Sequence, residues 1–134
     1  MDMKLEVVVL PVSDVDRAKE FYSERCGFVV DVDRQMGDQF RVVQLTPPGS
    51  ACSVTIGTGL VESPPGSVKG LQLVVTDIEA ARHELVERGL DAGPVQHMGP
   101  DGVWVEGRGE PWNSFFFFSD PDGNSWAVQE KPPE

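Results

Sequence analysis

The chain is short of basic charge, of cysteine and of long apolar runs, and each shortage removes a class of function. Eleven Lys and Arg stand against 22 Asp and Glu in 134 residues, for a formal net charge of −11. Such a surface repels a phosphate backbone and an anionic membrane alike, so neither nucleic acid nor membrane is an expected partner. Two cysteines, Cys26 and Cys52, are too few for a disulfide scaffold or a structural zinc site, and a cytoplasmic location fits them. The opening MDMKLEVVVL carries one Lys and an apolar run broken by Glu6 and stopped at Pro11, without the length or cleavage pattern of a signal peptide or spanning helix. One domain covering residues 1–134 is expected from the length.

What is present is written twice. Val12-Ser13-Asp14-Val15-Asp16-Arg17-Ala18 returns 63 positions later as Val75-Thr76-Asp77-Ile78-Glu79-Ala80-Ala81, and Glu24-Arg25-Cys26-Gly27-Phe28 returns as Glu87-Arg88-Gly89-Leu90. Each copy starts with an apolar stretch (Leu5 to Leu10; Gly70 to Val75) and reaches a Ser-Asp or Thr-Asp pair suited to capping a helix. Apolar residues at helical spacing follow, with Ala18, Phe21 and Tyr22 on one face and Ala81, Leu85 and Val86 on the other copy's. Gly27 and Gly89 then stop the helices. Short β-type runs come next: Phe28 to Val32, Phe40 to Thr46 and Ala51 to Ile56, then Asp91 to Met98, Gly102 to Glu106, Ser114 to Ser119 and Ser125 to Glu130, one of Asp91 to Met98 and Gly102 to Glu106 being irregular. The reading is an α+β fold of tandem βαβββ units, unit one at about 4–57 and unit two at about 70–130, joined by a Gly-, Ser- and Pro-rich linker at about 58–69.

A duplicated βαβββ unit with Pro-Val-Ser-Asp-Val-Asp-Arg-Ala-Lys-Glu-Phe-Tyr opening the first helix, and Phe-Ser-Asp-Pro-Asp-Gly-Asn before the last strand, resembles the vicinal oxygen chelate superfamily. That superfamily includes glyoxalase I, the bleomycin-resistance proteins, extradiol dioxygenases and methylmalonyl-CoA epimerase. The resemblance spans roughly Lys4 to Glu130. It implies two cupped mixed sheets with helices outside and, in the metal enzymes, a divalent ion inside the cup. It also implies a homodimer, since each unit exposes sheet edges that related proteins pair or cover.

Strand parity separates two faces. Val8, Leu10, Cys52, Val54, Ile56, Leu71, Leu73, Val75, Trp126 and Val128 share an apolar parity that should pack under the helices. Val7, Val9, Ala51, Ser53, Thr55, Gly70, Gln72, Ser125, Ala127 and Gln129 share the other, as a cavity wall would. The resemblance places the family's metal ligands at Val7, Ser53, Gly70 and Ala127, none of which offers a carboxylate, imidazole or thiolate. No metal or other cofactor is therefore expected. The turn Asp120-Pro121-Asp122-Gly123-Asn124 reads as structural.

Four consecutive phenylalanines, Phe115 to Phe118, must alternate faces, so one pair meets the helices and the other lines the cup. With Trp104 and Trp112 they exceed what a bland core of this size absorbs. The candidate ligand-binding residues are Val7, Val9, Arg41, Ser53, Thr55, Gln72, Trp104, Trp112, Phe115, Phe117, Ala127 and Gln129, with Arg41, Gln72 and Gln129 as polar anchors. His97, Glu106 and Glu110 are candidates for acid/base chemistry, or belong to a solvated loop. Two functions follow: a metal-independent protein binding a small, mainly apolar or aromatic molecule, as the bleomycin-resistance proteins sequester an antibiotic, or a metal-independent isomerase, cyclase or lyase in the same pocket. A glyoxalase- or dioxygenase-type metalloenzyme ranks third.

Overall fold

Asp14 and Asp77 open the two helices. Each is extended, with φ of −137° and −139°, and its carboxylate accepts the N–H three residues on, from Arg17 at 3.0 Å and from Ala80 at 3.1 Å. Such caps contribute about 1 kcal/mol each. Helix α1 (Val15–Glu20) runs on into a π-helical turn, Phe21–Arg25, and α2 (Ile78–Glu87) is regular. Gly27 and Gly89 follow them at φ of 75° and 94°, where a side chain would be strained.

The computed structural model describes residues 1–133. The fold is α+β, and the chain packs as two units. The first comprises Met1–Val68 together with the turn Asp120–Asn124, and the second comprises Lys69–Ser119 and the residues from Ser125 onward. The sequence repeat thus separates the copies at the linker, but the last turn joins the first unit.

In the first unit β1 (Val7–Val9), β2 (Val29–Gln35), β3 (Arg41–Thr46) and β4 (Ser53–Thr58) form a sheet in the order β1-β4-β3-β2, with β1 parallel to β4 and the other pairs antiparallel. Val43 lies opposite Ile56 and Leu45 opposite Val54, and these four are buried with Leu10, Ala18 and Tyr22. The apolar parity therefore lies under α1. Arg41 shares that face. Its guanidinium grips both oxygens of Asp33 at 3.0 and 3.1 Å and reaches Asp16 at 2.8 Å, while Lys19 Nζ meets Asp33 at 2.8 Å. Cys26 is buried and Cys52 half-buried, and neither is in a disulfide.

In the second unit β5 (Leu71–Val75), β6 (Gln96–Met98), β7 (Trp104–Glu106), β8 (Phe115–Ser119) and β9 (Ser125–Glu130) are ordered β5-β9-β8-β6-β7. The run expected from Asp91 forms a strand only at Gln96. Before it, the carbonyls of Ala92 and Gly93 are taken by the Arg82 guanidinium at 3.0 and 2.7 Å, and Pro94 has no N–H to pair. Phe116, Phe118, Trp126 and Val128 are buried with Ile78 of α2, and Phe118 stacks on Trp126 at 5.8 Å. Val86, expected on the buried face of α2, is 43% exposed, and Ile78 supplies the buried contact instead. Burial alone would raise the Glu130 carboxyl, but the Ile78 N–H and the Arg108 guanidinium outweigh it and hold Glu130 below its ordinary range.

The Arg41 and Lys19 bonds hold the Asp33 carboxyl down from 3.8 to about 2. With the folded value below the unfolded one, this group stabilises the fold above the unfolded pKa, and that contribution disappears as pH falls from about 4 toward 2. Urea unfolding across this window should show Asp33→Asn losing less stability on acidification than the parent. Parallel curves would remove Asp33 as the responsible group.

Candidate functional site

The polyphenylalanine strand resolves into two populations. Phe116 and Phe118 are 0% and 4% exposed on the helix side, whereas Phe115 and Phe117 are half-buried on the opposite, open face of the second sheet. Pairing in register extends that face to neighbouring strands, because residues opposite one another across a ladder project to the same side. Phe115 pairs with Gln129 and Gln96, Phe117 with Ala127, Gln72 with Ala127, and Met98 with Trp104.

Trp104 stands two strands away from β8, with β6 between them. At about 4.8 Å per strand its indole must lean across β6 to meet the phenylalanines. It does so, its ring lying edge-on to Phe115 at 5.6 Å and to Phe117 at 5.5 Å, while those two stack parallel at 6.2 Å. Trp104 nonetheless remains 40% exposed. Along the other flank Gln72 donates to Gln129 Oε1, and Gln129 Nε2 donates to the Trp112 carbonyl at 2.7 Å. A cavity of about 590 Å³ opens beside Phe117, lined also by Ser119, Ser125 and Ala127, by Gly70, Asp91 and Gly93, and by Phe118 and Trp126.

The loop from Gly107 to Asn113 is tied to the same sheet. Gly107 N–H donates to Val95 O, and the Asn113 side chain receives the Met98 N–H at 2.9 Å and donates to the Met98 carbonyl at 2.8 Å, extending β6 as a strand would. Within this loop Trp112 has φ of 67° and is 52% exposed, in the left-handed region that bulky residues avoid. Strain of that kind persists where the surroundings impose it.

The expected site residues divide accordingly. Gln72, Trp104, Trp112, Phe115, Phe117, Ala127 and Gln129 are brought together in the second unit. Val7, Val9, Ser53 and Thr55 lie on the open face of the first sheet, where Val7 pairs with Ser53 and Val9 with Thr55. Arg41, expected as an anchor, is committed to Asp33 and Asp16 on the helix side.

The acid/base candidates are not assembled. His97 pairs with Val105 and so takes the face opposite Gln96 and Glu106, its Nδ1–H donating to the Gly107 carbonyl at 2.8 Å. A side chain at Gly109 would collide with His97, placing a Cβ 2.7 Å from its own. Glu110 is exposed in the turn that follows.

The pairing also refines the metal question. Val9 pairs with Thr55 and Gln72 with Ala127, so Ala127 corresponds to Thr55, and Ser53 to Ser125. The resemblance aligns Ser53 with Ala127, two residues away from the equivalence that the pairing gives. Either alignment gives side chains that do not fit a divalent ion, and no cluster of three His, Cys, Asp or Glu occurs among the described residues. Sequence reasoning missed Met98 and Gln96 on the aromatic face. It also missed Asp31 and Thr46 in the first unit, which join Ser53 through a bulge that composition does not announce.

Comparison with known proteins agrees with this architecture. A family profile described as Glyoxalase/Bleomycin resistance protein/Dioxygenase superfamily matches residues 4–128. The chain is 33% identical to TnmS3, an antibiotic binding protein from Streptomyces sp. CB03234, with 97% of each chain covered and a TM-score of 0.75. It is 34% identical to a glyoxalase/bleomycin resistance protein from the same organism, covering 95% of this chain and 100% of that one, with a TM-score of 0.72. A Bacillus subtilis protein, YetH, is 28% identical, with 97% of this chain and 100% of that protein covered.

The Trp112 backbone gives a direct check on the loop. Trp112→Gly should be more stable than Trp112→Ala by about 1 kcal/mol, because alanine keeps the Cβ that the left-handed backbone disfavours. The usual order, with alanine the more stable, would show that the loop relaxes away from this conformation.

Proposed function

Because the chain belongs to the Glyoxalase/Bleomycin resistance protein/Dioxygenase superfamily, we propose that it is a metal-independent binding protein that holds a small, mainly apolar or aromatic molecule on the open face of its second unit, as a sequestration or resistance factor. The observation that carries this reading is the cluster of Trp104, Phe115 and Phe117, three aromatic rings packed against one another yet left accessible. The antibiotic binding described for TnmS3 supports it. Gln72, Gln129 and the Trp112 carbonyl supply polar points beside the rings, which fix orientation while the rings supply buried area. Turnover is the weaker reading, since His97 and Glu106 are on opposite faces.

The same proposal includes a homodimer. In the second sheet β7 is an edge strand, and Val103 and Val105 beside Trp104 are 58% and 46% exposed. Unpaired apolar edges are ordinarily covered. Light scattering should return twice the chain mass at micromolar concentration, and a monomer mass would refute this part.

Adjacent phenylalanines test the site itself. Phe117→Ala should weaken the quenching of Trp fluorescence by Nile red, and the thermal stabilisation given by binding members of an apolar antibiotic panel, at little cost to the unliganded fold. Phe116→Ala, at 0% exposure, should instead cost about 3 to 5 kcal/mol. Equal destabilisation by both, with unchanged ligand responses, would reduce the strand to core.

A further inference from the structure

The first unit carries a second polar feature, independent of the aromatic face. Between Val30 and Val32 the pairing of β2 with β3 shifts by one residue, so Asp31 is an inserted residue. A bulge of this kind re-aims a side chain. The Asp31 carboxylate is turned onto the open face and accepts the Thr46 hydroxyl, and Thr46 Oγ1 lies 2.6 Å from Ser53 Oγ. Ser53 is 5% exposed, while Asp31 at the end of the chain of groups is exposed.

The direction of this relay follows from counting protons. A carboxylate only accepts, and each hydroxyl has a single proton. Thr46 gives its proton to Asp31, so Thr46 must accept from Ser53, which spends the one proton Ser53 has. What remains is acceptor capacity alone: the second oxygen of Asp31 faces outward, and the lone pairs of Ser53 lie buried behind it. The flanking pair Gln44 and Thr55 is neutral. Among the described strand residues on this face the one cation is Arg34, opposite Val42, about 13 Å along β3 from Thr46.

We infer that Asp31, Thr46 and Ser53 form a subsite for a hydrogen-bond-donating organic cation, a protonated amine in the simplest case, and select against anions. The net charge of −11 favours the same sign of ligand at long range.

Amide-resolved NMR titration of the full chain with cyclohexylammonium and, separately, with cyclohexanecarboxylate tests this, since the two probes match in size and differ in charge and donor capacity. The ammonium should shift the amides of Asp31, Thr46 and Ser53, and the carboxylate should leave those three in place. Asp31→Asn should weaken the ammonium response by about tenfold, the ratio that goes with losing one hydrogen bond to a charged group. Thr46→Val, which keeps the charge and frees the Ser53 proton, should weaken it less. Trp104→Ala in the second unit should leave it unchanged, which separates this subsite from the aromatic face. Equal shifts from both probes, an unaltered response in a folded Asp31→Asn variant, or shifts confined to other residues would each overturn the assignment.

Discussion

The buried carboxylate of Asp120 organises the first unit. It accepts the Tyr22 hydroxyl at 2.7 Å, Asn124 Nδ2 at 2.8 Å and the backbone N–H groups of Asn124 and Asp122 at 2.9 and 3.0 Å. Asn124 also donates to Pro11 O and receives the Val68 N–H, while Asp122 takes the Ser13 hydroxyl at 2.6 Å. Gly66 lies so close to this turn that a Cβ there would stand 1.9 Å from the Asp122 carbonyl. Removing one donor from a buried acceptor of this kind costs on the order of 1 to 3 kcal/mol. The turn is therefore fixed in place, and β8 and β9 leave from its two ends with Ser119 opposite Ser125 and Phe118 opposite Trp126.

That fixation matters because strand periodicity is two. A slip of one residue between β8 and β9 would exchange the helix-side pair Phe116 and Phe118 for the accessible pair Phe115 and Phe117. All four are phenylalanine, so hydrophobicity alone discriminates poorly between the registers. The turn chemistry does the discriminating, together with Trp126, which reaches only 3% exposure in the observed register and stacks on Phe118.

Much of this was legible in the sequence because it is local. Face alternation, the Asp caps and the glycines ending each helix depend on a few neighbouring residues, and they were read correctly from Leu10, Val54, Ile56, Trp126 and Val128 on one side and Ser53, Thr55, Gln72 and Ala127 on the other. What escaped depends on partners far along the chain. Nothing near Arg41 reveals that Asp16 and Asp33 will hold its guanidinium, and nothing near Tyr22 reveals Asp120 as its acceptor. A bulge is one unpaired residue, so Val29-Val30-Asp31-Val32 reads as an ordinary alternating strand until β3 is laid against it. The faces of His97 and Glu106 were likewise set by pairing, since nine positions separate them in sequence across a turn of unknown length in register.

The two copies of the duplication agree on one side of their sheets and differ on the other. On the helix side the copies keep equivalent chemistry: aliphatic or aromatic side chains under each helix, an Asp cap, and a glycine stop. On the open side equivalent positions have diverged, with Val9 and Thr55 in one unit standing where Gln72 and Ala127 stand in the other. The small side chain of Ala127 beside Phe117 leaves room above the second sheet, while the hydroxyls of the first sheet run into Asp31. Accessible aromatic area is unfavourable in water by about 25 cal/mol per Å², so Trp104, Phe115 and Phe117 carry a solvation cost that an apolar surface laid over them would remove.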